Sequence, residues 1–170
     1  MKQLNNRVLL DFLAEVSKEL DTSITLVAVG GTALTLLKAK TSTIDVDFTI
    51  PNEDYALFKD TVSAIPHGFK IDCWKDGMVF SQLLPDDYLK RSIRIRKMKN
   101  IQLRALNPVD IVVTKIGRLD LRDKQDIETT IRKFRLRKND VAHRAEQVEY
   151  VGREENYKMN LKYVLENFFK

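Results

Sequence analysis

The chain has 170 residues, of which 29 are lysine or arginine and 24 are aspartate or glutamate, giving a formal net charge of +5. Its composition excludes a disulfide framework, because Cys73 is the only cysteine, and a membrane-spanning helix, because no stretch approaches ~20 apolar residues. We therefore expect one globular domain over residues 1–170 in the reducing cytoplasm, and the basic charge favours a polyanionic partner.

The first third of the chain alternates between helical and extended patterns. A helix is predicted over residues 3–20, where apolar side chains recur at helical spacing at Val8, Leu9, Phe12, Leu13, Val16 and Leu20. A buried strand is predicted over 23–29 and a helix over 32–39. A second strand over 42–50 and a helix over 52–65 follow.

Extended patterns dominate the middle of the chain. Strands are predicted over 68–74 and 78–84, and a hairpin between 92 and 107, where two alternating stretches flank "KMKN". After that hairpin the pattern is helical to the end, beginning with Pro108 at the first helical position. We therefore predict an α+β fold, in which a mixed sheet flanked by helices occupies residues 1–107 and a helical C-terminal part follows.

The strand predicted over residues 42–50 carries two carboxylates in an apolar stretch. Side chains alternate along a strand, so Asp45 and Asp47 share one face, with their roots roughly 6–7 Å apart. Such a pair can reach one hard cation, or two cations a few Å apart, and Mg²⁺ is commonly held by one or two carboxylates and substrate phosphates. Taken alone, an Asp-x-Asp stretch is more often a solvated strand face.

A glycine pair, Gly30-Gly31, precedes this strand and joins the strand over 23–29 to the helix over 32–39. Glycine allows another group to approach the backbone closely, and the start of a helix offers free N–H groups to an anion. Alone, a glycine pair is more often a simple turn. In this order and spacing, the pair and the aspartates predict a phosphate pocket beside a metal pocket.

These residues carry a resemblance to a known family. "GGTALTLL", followed by "DVDF" with thirteen residues between the second glycine and the first aspartate, resembles the signature of the DNA polymerase β-type nucleotidyltransferase superfamily. The stretch "LNPVDIVVTKIGRLDLRDKQDI" over 106–127 is similar to the second signature of a minimal branch. That branch includes small uncharacterised nucleotidyltransferase-like proteins and toxins of abortive-infection toxin–antitoxin systems. Thr129 stands where the toxin relatives often carry an aspartate.

The resemblance implies roles for the residues of the first signature. Gly30 and Gly31, together with Thr32, would bind the triphosphate of a nucleotide. Asp45 and Asp47 would bind one or two Mg²⁺ ions, activate an attacking hydroxyl and offset the charge that develops on the phosphoryl group.

The second signature implies further site residues. Lys115 matches the family's helix lysine, whose ammonium binds phosphate or the nucleotide; the alternative is a solvated helix lysine. Asp126, with Asp123 beside it, matches an acidic turn that would orient Lys115 or the nucleotide, or only pair with Arg122. The superfamily commonly adds a third carboxylate as base or metal ligand, and Asp72 in "KIDCW" is its candidate; the alternative is an edge-strand aspartate.

Basic residues are concentrated in two stretches. The segment 88–109 contains no acidic residue and seven basic ones, namely Lys90, Arg91, Arg94, Arg96, Lys97, Lys99 and Arg104. The segment "IRKFRLRK" adds Arg132, Lys133, Arg135, Arg137 and Lys138. If they lie beside the metal pocket, these stretches would attract RNA such as tRNA through its phosphates; otherwise they are solvated faces of a hairpin and a helix.

Other conspicuous residues are expected to serve packing. Trp74 and Phe80 are predicted as packing groups rather than as platforms on which bases stack. Cys73 is predicted as a small strand residue rather than a nucleophile, because no histidine is near it in the sequence.

Together these observations favour a Mg²⁺-dependent nucleotidyltransferase. It would move a nucleoside monophosphate from an NTP to a hydroxyl of RNA or protein, with residues 108–170 bringing Lys115 and Asp126 to the cleft. A toxin–antitoxin setting with a cognate partner protein, and no membrane, fits the resemblance. The alternatives are a catalytically inactive nucleotide- or RNA-binding module, such as an antitoxin-like partner on the same fold, and an RNA-binding protein that relies on the basic hairpin.

Overall fold

The computed structural model describes residues 3–170, whose order of elements is α+β as predicted. The strands of these residues are β1 (Leu4–Asn5), β2 (Ile24–Ala28), β3 (Ser42–Thr43), β4 (Val46–Ile50), β5 (Ile71–Lys75), β6 (Met78–Val79), β7 (Gln82–Leu83), β8 (Ile93–Lys97), β9 (Ile101–Ala105) and β10 (Glu149–Tyr150). The helices are α1 (Asn6–Glu19), α2 (Gly30–Leu36), α3 (Asn52–Ser63), α4 (Tyr88–Arg91), α5 (Pro108–Lys115), α6 (Leu121–Phe134), α7 (Lys138–Glu146) and α8 (Glu154–Asn167).

A five-stranded mixed sheet forms the centre, in the order β5-β4-β2-β9-β8. The pairs β4–β5 and β2–β9 are parallel, whereas β2–β4 and β8–β9 are antiparallel. This arrangement puts the start of β4 beside the end of β2, because Ala28 pairs with Phe48 and the Val29 amide donates to the Asp47 carbonyl at 3.0 Å. The glycine turn after β2 therefore lies next to Asp47.

The apolar face of the sheet is covered by helices, as its hydrophobic pattern requires. All five residues of β4 are buried, and the ring of Phe48 meets the ring of Phe58 on α3 edge-on, with centroids 5.6 Å apart. Leu9, Leu13 and Val16 of α1 are fully buried in the same core. Burial of apolar side chains of this size contributes about 1.5–3 kcal/mol each, so these contacts dominate the stability of the sheet.

The C-terminal helices are attached to the sheet through α5. All eight residues of α5 are buried, and Pro108 stands in its first turn as predicted. Tyr157 of α8 donates its hydroxyl to the Val113 carbonyl at 2.9 Å. Arg144 of α7 donates from Nε to Asp110 Oδ1 at 2.6 Å and from Nη2 to Asp110 Oδ2 at 3.2 Å. These bonds fix α7 and α8 against the buried helix.

Three predictions of secondary structure are corrected by the structure. The strand expected over 42–50 is broken at residues 44–45, because β3 turns away to pair with β1, where Leu4 faces Thr43. The strand expected over 78–84 is a tight hairpin of β6 and β7, with Phe80 at its tip. The part after residue 107 is not wholly helical, because β10 pairs with β7.

The other elements lie where the sequence placed them, within a few residues. The hairpin expected between 92 and 107 is β8 and β9, and the helix expected over 32–39 begins two residues earlier, at the glycine pair. Over residues 3–170 every helix is too short or too polar to cross a membrane.

Candidate active site

Asp47 is the central residue of the candidate site. It lies on β4 with its side chain almost fully buried, and the parallel register places it beside Asp72 on β5. Within residues 3–170 its Oδ1 has no hydrogen-bond partner. A buried carboxylate without a partner is costly, so this atom marks a candidate position for a ligand.

The electrostatic surroundings of Asp47 are unfavourable to a negative charge. Burial, first, and then the neighbouring carboxylates Asp72 and Asp45 raise its pKa to about 7, while Lys115 and Lys70 act in the opposite direction. The two lysines do not cancel the effect, so the site carries an excess of negative potential near neutral pH. A bound cation would remove that excess.

Asp45 lies in the bend before β4, and so the prediction that it shares a strand face with Asp47 is wrong. Its carbonyl accepts hydrogen bonds from the Thr32 hydroxyl at 3.2 Å and from the Thr43 hydroxyl at 2.9 Å. The same Thr32 oxygen accepts from the Asp47 amide at 2.9 Å. Thr32 is fully buried, and its hydroxyl holds the two aspartates in place.

The glycine pair packs directly against these carboxylates. Gly30 has φ +53°, a conformation that favours glycine, and a Cβ on it would lie 3.7 Å from Asp47 Oδ2. A Cβ on Gly31 would lie 3.0 Å from the Thr43 hydroxyl, which is closer than side chains normally tolerate. Val29 precedes α2 and has no capping oxygen, so side chains leave the N–H groups of this turn open.

Lys115 is at the centre of a buried network of charges beside the aspartates. Its Nζ lies 3.0 Å from Asp123 Oδ1 and 2.9 Å from Asp126 Oδ2. Arg118 also donates to both oxygens of Asp123, and Lys40 donates to Asp126 at 2.9 Å. Burial opposes ionisation, yet the hydrogen bonds from Arg118 and Lys115 hold the pKa of Asp123 below its usual value. This network presents several cations to the same cleft.

The cleft has a volume of about 470 Å³ and lies between the glycine turn, the start of β4 and α6. Among its lining residues are Gly30, Gly31, Lys40, Thr43, Asp45, Asp47, Lys115, Arg118, Arg122 and Asp126. The structure thus brings both predicted aspartates, both glycines and both residues of the second signature to one cleft. A cleft of this size suits a small ligand such as a nucleotide.

Asp72 is adjacent to this cleft but is engaged elsewhere. Its carboxylate forms an ion pair with Lys70 at 2.7 Å and is one-third exposed. Lys70 is itself exposed, so this pair contributes little to stability and can open.

The carboxylates fit a hard cation that a substrate helps to bind. In the described part of the chain, no group of three or more His, Cys, Asp or Glu side chains converges to hold a metal ion by itself. Mg²⁺ needs only one or two carboxylates when phosphate oxygens and water complete its coordination. Asp45 and Asp47, with the unpartnered Oδ1, meet that requirement.

Two basic residues of the cleft, Lys40 and Arg118, could not be recognised as site residues from the sequence. Lys40 and Arg118 are single residues among 29 lysines and arginines, and no motif distinguishes them. They reach the cleft because α2 and the turn between α5 and α6 meet there.

The two basic stretches have different surroundings. On α6 and α7, Arg132 pairs with Glu128 and Arg137 with Asp140, both at the surface. On the hairpin, Arg94 lies opposite Arg104 across β8 and β9, so two like charges face each other. Like charges at such a position are destabilising unless an anion binds. The helix stretch is therefore a solvated face. On the hairpin, Arg104 donates to Ser92 and to the Leu89 carbonyl, whereas Arg94, Arg96 and Lys97 form no ion pair within residues 3–170.

One of three comparisons with known proteins identifies a family. Searches among curated proteins and among solved structures gave no significant match. A family model matches residues 7–170, nearly the whole chain, and its description is "Nucleotidyltransferase of unknown function (DUF6036)". Its match includes the glycine turn, the carboxylates and the second signature. The chain belongs to this family of nucleotidyltransferases.

Proposed function

We propose that the protein transfers a nucleoside monophosphate from an NTP to a hydroxyl group, with Mg²⁺ as cofactor and pyrophosphate as product. The observation that carries the proposal is Asp47, a buried carboxylate without a partner for Oδ1, flanked by Asp45 and Asp72 and facing a cleft of about 470 Å³. Mg²⁺ bound by Asp45 and Asp47 would supply positive charge to the reacting phosphoryl group.

The cations of the cleft are suited to a triphosphate. Lys115 uses two of its three ammonium donors on Asp123 and Asp126, which leaves the third for a phosphate oxygen. Lys40 and Arg118 line the same cleft, and the backbone of the glycine turn lies on its other side. In this proposal Asp123 and Asp126 are positioning residues, because they act through the bound cations.

The transfer step forms one phosphorus–oxygen bond, breaks another and releases one proton. The acceptor oxygen attacks the α-phosphorus, and the bond from that phosphorus to the oxygen bridging to the β-phosphate breaks. The electron pair leaves with pyrophosphate. The proton of the hydroxyl goes to a carboxylate, and Asp72 is our candidate, because it lies beside Asp47 and is partly exposed to solvent.

The experiment that tests this proposal measures transfer of label. Purified protein is incubated with Mg²⁺, each α-labelled NTP in turn, and bulk cellular RNA or protein as acceptor. We expect label to enter the acceptor with the wild type, and the rate to fall by about 100-fold or more in Asp47→Asn, since charge stabilisation of the reacting group is lost. Asp60→Asn, an exposed aspartate on α3, is the matched control and should retain the wild-type rate.

Binding measured in parallel separates the enzyme from a binding module. Binding of a Mg²⁺–NTP complex without transfer to any acceptor would replace the catalytic proposal by the inactive nucleotide-binding module. RNA binding that survives Asp47→Asn but gives no transfer would favour the RNA-binding protein.

For the acceptor, we propose RNA bound through the β8–β9 hairpin. The charges that support this are Arg94, Arg96 and Lys97 on an edge strand, with Arg94 facing Arg104. Each phosphate contact lowers the slope of log affinity against log salt by about 0.7 for a single strand. Arg94→Gln with Arg96→Gln should therefore flatten that slope by about 1.4, and Arg132→Gln with Arg137→Gln should leave it unchanged.

We also propose a toxin–antitoxin setting, on the basis of the second signature, in which Thr129 departs from the pattern of the toxin relatives. A role as the toxin is tested first. The test is expression in bacterial cells that lack the cognate partner. Growth arrest by the wild type that Asp47→Asn abolishes would support this role, and unimpeded growth at equal expression would contradict it.

A further inference from the structure

A second cavity of about 310 Å³ lies directly beside the carboxylate cleft. Gly30, Phe80, Lys115 and Arg118 line both spaces, so the two adjoin at these residues. The residues that line the second cavity alone lie on the β6–β7 hairpin, the end of α5, the turn after it, α6 and β10; they are Val79, Ser81, Gln82, Thr114, Gly117, Asp123 and Tyr150. Their exposed surface is more apolar than that of the charged cleft, and among them only Asp123 has a role in the function proposed above.

Phe80 is the most unusual residue of this cavity. It stands at the tip of the hairpin with φ +53°, a conformation that a bulky L-residue rarely adopts. Its side chain remains 45% exposed, although the Trp74 ring lies 4.7 Å and the Arg118 guanidinium 5.0 Å from its centroid. Strain of this kind persists where the surroundings hold a residue in place, and it commonly accompanies ligand sites. Phe80 thus packs on Trp74 as expected, but one face of its ring remains outside the core.

The opposite end of the cavity offers a polar group and a second ring. Gln82 is buried with one end of its carboxamide between the Val79 and Thr114 carbonyls; we assign the nitrogen to this end, because it then donates to them at 3.0 and 2.8 Å, whereas an oxygen would face two acceptors. Its carboxamide oxygen is then left to accept a hydrogen bond. The Tyr150 ring also lines the cavity and is backed by Tyr157, with centroids 5.5 Å apart.

Gly117 keeps the cavity open. A Cβ at this position would collide with the Gln82 carboxamide and would lie 2.8 Å from the Tyr150 ring. Any other residue here would displace Gln82 and Tyr150 or fill the space. The cavity therefore depends on a glycine at this point of the turn between α5 and α6.

We propose that this cavity is the subsite for the nucleobase of the NTP, an inference that rests on the function proposed above. The base would contact the Phe80 ring, and an N–H group on its edge would donate to the Gln82 carboxamide oxygen. The triphosphate would occupy the adjoining cleft, with Lys115 and Arg118 at the junction. Aromatic rings bind any base by stacking, whereas the buried acceptor selects among bases by their donors.

Isothermal titration of two ligands tests the subsite. The ligands are the Mg²⁺ complex of each NTP and the Mg²⁺ complex of inorganic tripolyphosphate, which lacks a base. We expect the wild type to bind at least one NTP more tightly than tripolyphosphate. Phe80→Ala should weaken the binding of that NTP by about 5- to 100-fold, which is the usual contribution of stacking one base. The affinity for tripolyphosphate should stay unchanged.

Two further variants control the experiment. Phe80→Gly removes the ring and also relieves the positive φ, so it folds even if Phe80→Ala does not, and it should show the same selective loss. Tyr163→Ala removes a ring of similar exposure (41%) on α8, away from both cavities, and should bind both ligands as the wild type does.

The outcomes separate this proposal from the one on which it rests. If NTP and tripolyphosphate bind the wild type equally and the Phe80 variants change neither, the nucleobase subsite is overturned, while the triphosphate cleft remains. If neither ligand binds the wild type in the presence of Mg²⁺, the proposed function fails, and the subsite fails with it. A loss of both ligands in folded Phe80→Gly would make Phe80 a determinant of the cleft and overturn its role toward the base.

Discussion

Two buried aspartates of this protein, Asp110 and Asp47, have opposite surroundings. Asp110 on α5 is fully buried and receives two hydrogen bonds from Arg144, and the Arg91 Nε lies 3.6 Å from its Oδ2. Asp47 is nearly as buried, yet its Oδ1 has no partner within the described residues, and other carboxylates flank it. Burial raises the pKa of both, but only Asp110 has an arginine in contact to oppose it.

In the function that we propose, the difference separates a structural charge from one that binds a ligand. A buried charge is tolerated when a partner satisfies it, and Asp110 obtains that partner within the chain. Asp47 does not, so the protein keeps a destabilised carboxylate where a cation and phosphates can compensate it. Sites of this kind sacrifice stability for binding. Four measurements test whether the two carboxylates differ in this way.

The largest effect is expected for Arg144→Met. It leaves the Asp110 carboxylate buried and without its main partner, which should lower the free energy of unfolding by about 3–5 kcal/mol. Urea denaturation followed by circular dichroism measures this change. Arg137→Met breaks an exposed ion pair with Asp140 and should leave the midpoint unaltered. Equal loss in both variants would mean that Asp110 is not a structural charge of the kind described.

In contrast to Arg144→Met, Asp47→Asn should stabilise the folded protein when no metal is present. The raised pKa means that the folded state holds the Asp47 proton up to about pH 7, whereas the unfolded chain releases it near 4. Wild-type stability is therefore lost as pH rises through this interval, by at most about 4 kcal/mol at ~1.4 kcal/mol per unit. The asparagine variant lacks this loss, so its advantage should be greatest at pH 8 and vanish towards pH 4.

Urea melts of Asp47→Asn and wild type across that pH range, with EDTA present, measure the advantage. A constant difference, or a destabilised variant at pH 8, would show that Asp47 is already compensated within the chain.

Mg²⁺ should stabilise the wild type and leave Asp47→Asn unchanged. A ligand present at 100 times its Kd adds about 2.7 kcal/mol to the folded state. Thermal melts with increasing MgCl₂ should therefore raise the Tm of the wild type alone. KCl at matched ionic strength separates binding from screening, and a similar rise in both proteins would place the ion elsewhere.

The smallest effect is expected for Gly30→Ala. The space beside Asp47 Oδ2 admits a Cβ at 3.7 Å, so the strain of the positive φ dominates and should lower stability by about 1 kcal/mol. Gly68→Ala is the matched control, because a Cβ there meets no atom of the described chain within 4 Å and should be neutral. Unfolding curves that rank the two variants the other way would contradict the strained turn.

Much of the fold could be predicted from local patterns. The strands of the central sheet follow from alternating or continuous apolar residues, and the glycine pair marked the junction of β2 and α2. The break at Asp45 was not predictable, because it depends on hydroxyls of Thr32 and Thr43 and on the pairing of β3 with β1. The alternation of "TIDVDFTI" suits a continuous strand equally well.

The candidate site could be predicted only in part, for the same reason. Asp47, the glycines and Lys115 stand in recognisable spacing, whereas Lys40 and Arg118 belong to no pattern and are defined by the ion pairs they form. Phe80 was expected to pack because aromatic residues usually do. Its exposure follows from the tight β6–β7 hairpin, whose sequence pattern resembles that of a single strand.

Local sequence patterns specify the elements, the glycine turn and the identity of the main carboxylates, because these depend on neighbours a few residues apart. Only the tertiary structure decided that Asp72 lies beside Asp47, that Arg144 satisfies Asp110, and that a second cavity adjoins the cleft. The physical reason is that the state of a buried charge depends on its distance to partners and to water. Those distances join residues far apart in the chain and exist only once it is folded.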